Sequence, residues 1–135
     1  RRFSYMGYGG GKDYVEALRQ IVVVIMIEKA GTVDNLEEAL SVDGVDMIQW
    51  GGSDYSMNIG KAGERESPEI KATEKRVFET ALKMGVQPRA EVNSADDAKY
   101  YLDMGVKHFC IGTDITILHN WWANHGDDMR KALGN

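Results

Sequence analysis

The chain has 135 residues, 43 % hydrophobic and 27 % charged, a soluble globular balance and enough for one ordinary domain with a core. A net charge of −5, with acids and bases interspersed, argues against nucleic acid and anionic membranes as partners. The lone cysteine, Cys110, rules out an internal disulfide and points to a reducing, cytoplasmic compartment, and the longest apolar run is too short to span a bilayer.

Residues 1–12 are glycine-rich and read as loop. The GGGK sequence is not a phosphate loop: no strand precedes it, its first glycine is misplaced, and Asp13 stands where Ser or Thr is needed. The start at Arg1 rather than Met suggests that a segment upstream is missing. Residues 13–20 can form one or two helical turns with Asp13 as N-cap. Residues 21–28, IVVVIMIE, are seven apolar residues and an acid, the pattern of a strand buried on both faces that leaves the core at Glu28. Glu28 is then either the first solvated residue or an acid at the catalytic end of a parallel strand.

Residues 31–40 predict a short helix capped by Thr32, with Val33, Leu36 and Leu40 inward and Glu37 and Glu38 outward. Residues 44–50 predict a second strand, followed by Gly51, Gly52, Ser53 and Asp54, and residues 55–67 a long polar loop. Pro68 opens a helix at its favoured first position with Ser67 as N-cap. Ile70, Val77, Ala81 and Met84 face inward, and Gly85 stops it. Residues 87–92 predict a third strand. Ser94 caps a helix to Met104, and residues 107–111 form a fourth strand. Residues 115–133 are mostly helical, divided at Gly126, with Trp121, Trp122 and Met129 as apolar mass, one tryptophan inward and the other against a partner.

Residues 43–54 and 104–114 repeat one pattern of glycine, strand, glycine and acid. Successive strand-helix units imply a parallel sheet, and right-handed crossovers bring every strand's C-terminal end to one face. Glu28, Asp54, Glu91 and Asp114 converge there. Neighbouring strands lie ~4.8 Å apart, so Glu28 and Asp54 can share one cation; two carboxylates without a nearby His or Cys suit a hard ion, Mg²⁺ or Mn²⁺. The glycines before Asp54 let backbone N–H groups approach a ligand, or simply make a turn. Glu91 is a candidate ligand or a partner of Arg89, and Asp114 a candidate ligand or the N-cap of the last helix. His108, His119 and His125 form no site.

These residues resemble the HpcH/HpaI aldolase family of class II, metal-dependent pyruvate aldolases. The resemblance is carried by Ile27 and Glu28, by Val33 to Leu36, by Gly44 to Asp46, and by the run Gly51, Gly52, Ser53, Asp54, Tyr55, Ser56. It implies the C-terminal half of a (β/α)8 TIM barrel, with residues 1–135 as one partial domain. It also implies Glu28 and Asp54 as metal ligands, with Mg²⁺ first and Mn²⁺ or Co²⁺ also possible. Gly51, Gly52, Ser53 and Asp54 would hold the carboxylate of a 2-oxo acid by their amides. The implied reaction is cleavage of a 4-hydroxy-2-oxo acid to pyruvate and an aldehyde through a metal-stabilised enolate. A related lyase or decarboxylating synthase, or a non-catalytic half-barrel assembly module, are the alternatives. Gly52 replaces the family's proline and Tyr55 its leucine. The family's catalytic histidine and arginine lie upstream of the matching part, and no residue here matches either. A half barrel exposes two strand edges, so a homo-oligomer or a complementing N-terminal half is expected.

Overall fold

The computed structural model describes residues 11–134, so the expectations for the glycine-rich start lie outside it, except that Lys12 is already helical. Four strands form one parallel sheet: β1 (Val24–Ile27), β2 (Met47–Trp50), β3 (Gln87–Val92) and β4 (His108–Ile111). Their spatial order is β1-β2-β3-β4. A doubly wound sheet reverses its strand order at a switch point, whereas a barrel adds each strand beside the last. This is half of a (β/α)8 barrel.

Helices α1 (Lys12–Arg19), α2 (Ala30–Asp34), α3 (Leu36–Leu40), α4 (Gly52–Asn58), α5 (Pro68–Lys83), α6 (Ala95–Asp103) and α7 (Asp114–Ala132) alternate with the strands. The core lies between the helices and the outer face of the sheet. Ile27, Ile48, Ala90 and Val92 from the strands meet Val33, Leu36 and Leu40, then Ile70, Val77, Phe78 and Ala81 of α5, and Tyr101 of α6. Side chains alternate along a strand. Met26, Gln49 and Arg89, which the strand register sets side by side, therefore point to the opposite, inner face. No helix among the described residues is long and apolar enough to cross a membrane.

Several elements differ from expectation. β1 is shorter than residues 21–28 and is not buried on both faces: Val22 is 62 % and Met26 46 % exposed, because β1 is an edge strand with an open inner face. Gly11, not Asp13, caps α1, and Asp13 sits in its first turn, where a carboxylate complements the helix dipole. The helix expected over 31–40 is two, broken at Asn35, and the cap position belongs to Lys29 rather than Thr32. The inward set Val33, Leu36 and Leu40 is nonetheless buried.

Part of the expected long loop is α4, seated by burial of Tyr55 and Ser56. Ser67 is at the N-cap of α5, but its buried hydroxyl makes no capping bond. Met84 is the C-cap of α5 and is 38 % exposed rather than inward. Gly85 then turns the chain with φ 82°. Ser94 caps α6 through a reciprocal box with Asp97, as its sequence suggests. Thr113, not Asp114, caps α7, and the carboxylate of Asp114 instead accepts from the amide of Ile115 at 2.8 Å. Gly126 does not divide α7; one glycine costs a helix only about 1 kcal/mol, and the ion pairs Asp127–Arg130 and Asp128–Lys131 span its last turns. Trp121 and Trp122 are both substantially exposed and pack on each other, so neither points into a core.

Candidate active site

The pairing Ile27↔Trp50 places Glu28 opposite Gly51, immediately beyond the ends of β1 and β2. Gly51 donates its amide to Ile27 at 3.0 Å, which finishes the strand pair. α4 starts at the next residue and puts Asp54 in its first turn. The Glu28 side chain lies against Gly51. A Cβ added to Gly51 would stand 2.7 Å from the Glu28 Cβ and 2.9 Å from its Oε2. The acid thus fills the space that a side chain on Gly51 would take. Lys29 is its only ion-pair partner among the described residues, at 3.9 Å.

Gly51, Gly52, Ser53 and Asp54 all line a cavity of about 170 Å³ at the C-terminal ends of the strands, with Met26 and Trp50 beside them. Glu28 stands behind Gly51 rather than on the cavity's lining. The amides of Gly52, Ser53 and Asp54 belong to a first helical turn and have no intrahelical acceptor. Two carboxylates flanking a loop with free amides, over a glycine that leaves one of them room, are a donor set that suits a hard divalent ion. Among the described residues no group of three or more His, Cys, Asp or Glu forms a candidate cation site, so the fit rests on this pair.

Gly52 is constrained from the other side. A Cβ there would approach the Trp50 Nε1 to 2.8 Å, and Trp50 is itself held, 9 % exposed, against Tyr55 at 4.8 Å between ring centroids. A glycine at position 52 is thus what leaves room for the Trp50 ring.

The far wall of the cavity is a polar network that the sequence did not announce. Gln49, 5 % exposed, accepts from Arg89 at 2.7 Å through Nε and also through a terminal nitrogen, and donates its own amide to Glu91. Arg89 and Glu91 are therefore joined through Gln49 and do not pair directly. Glu74, 5 % exposed, accepts from the Tyr101 hydroxyl at 3.0 Å and from Lys71 at 3.0 Å. Lys71 also reaches Glu66 at 3.2 Å, and Arg65 pairs with Glu66 at 2.8 Å. Glu74 did leave one signal: it lies four residues after Ile70 and three before Val77, on the buried stripe of α5. Gln49 inside an otherwise apolar strand is another. Arg65 and Glu66 sit in a polar loop and left none. Of the other sequence candidates, Glu91 lines the cavity, whereas Asp114 and the three histidines do not.

Burial, then the nearby Glu74 charge, pushes the Tyr101 hydroxyl up to about 12. Burial opposes the charge on Lys71, but the attraction and hydrogen bond of Glu74 more than offset it and raise its pKa. The Arg65 hydrogen bond holds Glu66 below the usual carboxylate value. A proton held more tightly in the folded than in the unfolded chain stabilises the fold below the unfolded pKa, and that gain is lost as pH rises. Stability should accordingly fall between pH 10 and about 12. Urea denaturation across that range should show the loss, and Tyr101→Phe should flatten it; an equal slope in the variant would assign the loss elsewhere.

A sheet of sequentially added parallel strands, with acids and a glycine-rich turn at the strands' C-terminal ends, defines a barrel protein whose site is built there. The chain belongs to the HpcH/HpaI aldolase/citrate lyase family, whose model matches residues 2–120. It is 32 % identical over 124 residues to a 4-hydroxy-2-oxo-heptane-1,7-dioate aldolase of Shigella flexneri, covering 91 % of this chain and 45 % of that protein. A protein of the same name from Klebsiella pneumoniae is 31 % identical over 107 residues, covering 78 % and 40 %. The chain therefore spans less than half the length of these relatives. Among solved structures, an HpcH/HpaI aldolase from Desulfitobacterium hafniense superposes with a TM-score of 0.76 at 21 % identity, over 92 % of this chain and 52 % of that one. The citrate synthase SbnG does so with 0.80 at 20 % identity, over 99 % and 56 %. At these identities the structures establish the fold.

Proposed function

We propose that this chain carries half the active site of a metal-dependent aldolase that cleaves 4-hydroxy-2-oxo acids to pyruvate and an aldehyde. The observation that carries this reading is the Glu28 carboxylate seated against Gly51 with Asp54 one helical turn away, at the ends of adjacent strands. Glu28 and Asp54 would hold a divalent ion, Mg²⁺ first, with Mn²⁺ or Co²⁺ as substitutes. When bound, the ion supplies Lewis acidity at the 2-oxo group. The amides of Gly52, Ser53 and Asp54 orient the adjacent carboxylate. In the cleavage itself the C3–C4 bond breaks and its electron pair stays with C3. The C4 hydroxyl loses its proton as it becomes the aldehyde carbonyl, and C3 takes up a proton to complete the methyl group of pyruvate.

No histidine of the described residues lines the cavity, and a proton carrier supplied by a complementing segment is part of this reading. The outer edges of β1 and β4 are unpaired among the described residues, and such edges are covered in stable proteins. A second copy or a complementing N-terminal half would cover them and bring the proton carrier. The test is pyruvate release from a 4-hydroxy-2-oxo acid with added Mg²⁺ or Mn²⁺. Asp54→Ala should lower release at least a hundredfold and weaken Mn²⁺ binding, read by electron paramagnetic resonance. Release and binding unchanged by the substitution would refute the site.

A further inference from the structure

We infer that Asn58 is a positioning residue: it ties the far end of α4 to the start of α2 and so sets the separation of Glu28 and Asp54. The inference rests on the metal-site reading above. Glu28 lies in the junction between β1 and α2, and Asp54 in the first turn of α4. The two carboxylates therefore sit on separate elements, and neither element alone fixes the distance between them. Asn58 is the last residue of α4, and its Oδ1 accepts a hydrogen bond from the Ala30 amide at 2.8 Å.

This bond is one of a pair. At the near end of α4 the Gly51 amide donates to the Ile27 carbonyl at 3.0 Å. Ile27 and Ala30 bracket Glu28 on one segment of chain, and Gly51 and Asn58 bracket Asp54 on the other. The two bonds close a ring around the pair of carboxylates. Asp54 and Asn58 are four residues apart, so they share one face of α4, about one turn from each other. The bond from Ala30 turns that face toward the β1–α2 junction, where Glu28 lies.

Local chemistry explains why the acceptor comes from another helix. α2 has only five residues, and Lys29 at its N-cap makes no side-chain capping bond. The Ala30 amide is one of the first-turn donors that have no acceptor inside a helix. Asn58 supplies from α4 the oxygen that a Ser, Thr, Asp or Asn at the cap would supply locally. The bond is exposed, so water can replace it at little cost to the fold. The metal geometry is the more sensitive quantity. Mg²⁺ demands oxygen ligands at about 2.0–2.1 Å, and a small drift of α4 carries Asp54 out of that range. Outer partners that orient metal ligands typically account for about 10–100-fold in affinity or activity.

The experiment has two independent readouts on the full chain, calorimetric titration with Mn²⁺ and hydrogen exchange at the Ala30 amide. Asn58→Ala and Asn58→Leu should each weaken Mn²⁺ binding about tenfold and speed exchange at Ala30, while the urea midpoint moves little. Asn58→Asp keeps the acceptor, so it should restore both the affinity and the protection of Ala30. Its titration is run in about 1 M salt, where the added charge is screened beyond about 3 Å. Faster exchange at Ala30 with unchanged Mn²⁺ affinity would overturn the inference. So would exchange indifferent to every Asn58 variant, or an aspartate variant as weak as the alanine one. In each of these cases, Mn²⁺ binding that is still lost in Asp54→Ala leaves the metal reading standing. Mn²⁺ binding unaffected by Asp54→Ala, or absent from the unaltered protein, would overturn that reading and the inference with it.

Discussion

Gly51→Ala should weaken Mn²⁺ binding more than tenfold and destabilise the fold by about 1–3 kcal/mol, the cost of overpacking a close contact. The backbone does not forbid alanine there: Gly51 has φ −103° and ψ 67°. The obstacle is the Glu28 side chain, whose Cβ and Oε2 both lie within 3 Å of the added methyl group. The Cβ belongs to the end of a strand and cannot retreat. Relief must come from turning the carboxylate away or from parting β1 and β2, and either moves a proposed ligand. Gly85→Ala is the comparison. It strains a left-handed turn far from the cavity, so it should lower stability and leave metal affinity alone. Calorimetric titration with Mn²⁺ and urea denaturation of both variants would decide it. Full Mn²⁺ affinity in Gly51→Ala would show that the Glu28 carboxylate is not a ligand.

Glu74→Ala should cost about 3 kcal/mol of stability, and Glu74→Gln only about 1 kcal/mol. Three losses add in the alanine variant. The hydroxyl of Tyr101, a residue 7 % exposed, is left without an acceptor; Lys71 loses its buried partner; and a hole opens on the α5 stripe between Ile70 and Val77. The Lys71 share is small, because Glu66 remains at 3.2 Å and the side chain is 36 % exposed, where solvent screens the pair. The tyrosine and the hole dominate. Glutamine keeps the volume and still accepts from Tyr101, which is why its cost is lower. The urea midpoint would fall with an unchanged m-value. A shift of less than 0.5 kcal/mol for Glu74→Ala, by order of magnitude, would show that the network is not structural.

The fold was legible wherever one physical signal acted alone. Ser94, Pro68 behind Ser67, and Gly85 after a helical run each mark a boundary by local chemistry, and the boundaries stand where that chemistry puts them. The misreadings came where tertiary context decided. IVVVIMIE is apolar enough for a central strand, yet in this chain it is the sheet's edge, and composition cannot report a missing neighbour. Residues 52–58 carry no apolar periodicity and become helical because Tyr55 and Ser56 are buried. Nothing in Asn35 announces that it divides a helix.

For the candidate site, the step from Glu28 to Asp54 could be read because one strand-helix-strand unit separates them. The opposite wall could not. Gln49, Arg89 and Glu91 meet only through strand register, and Lys71, Glu74 and Tyr101 only through the packing of α5 on α6. Neither relation is written in linear spacing.

The Trp50–Gly52 contact couples two positions. With Trp50 in place, position 52 accepts no side chain without displacing a packed indole. A proline, or any other residue with a Cβ, at position 52 therefore requires Trp50 to shift or to become smaller, so substitutions at positions 50 and 52 should be non-additive, and a double variant with a small residue at 50 should lose less stability than the sum of the two single changes.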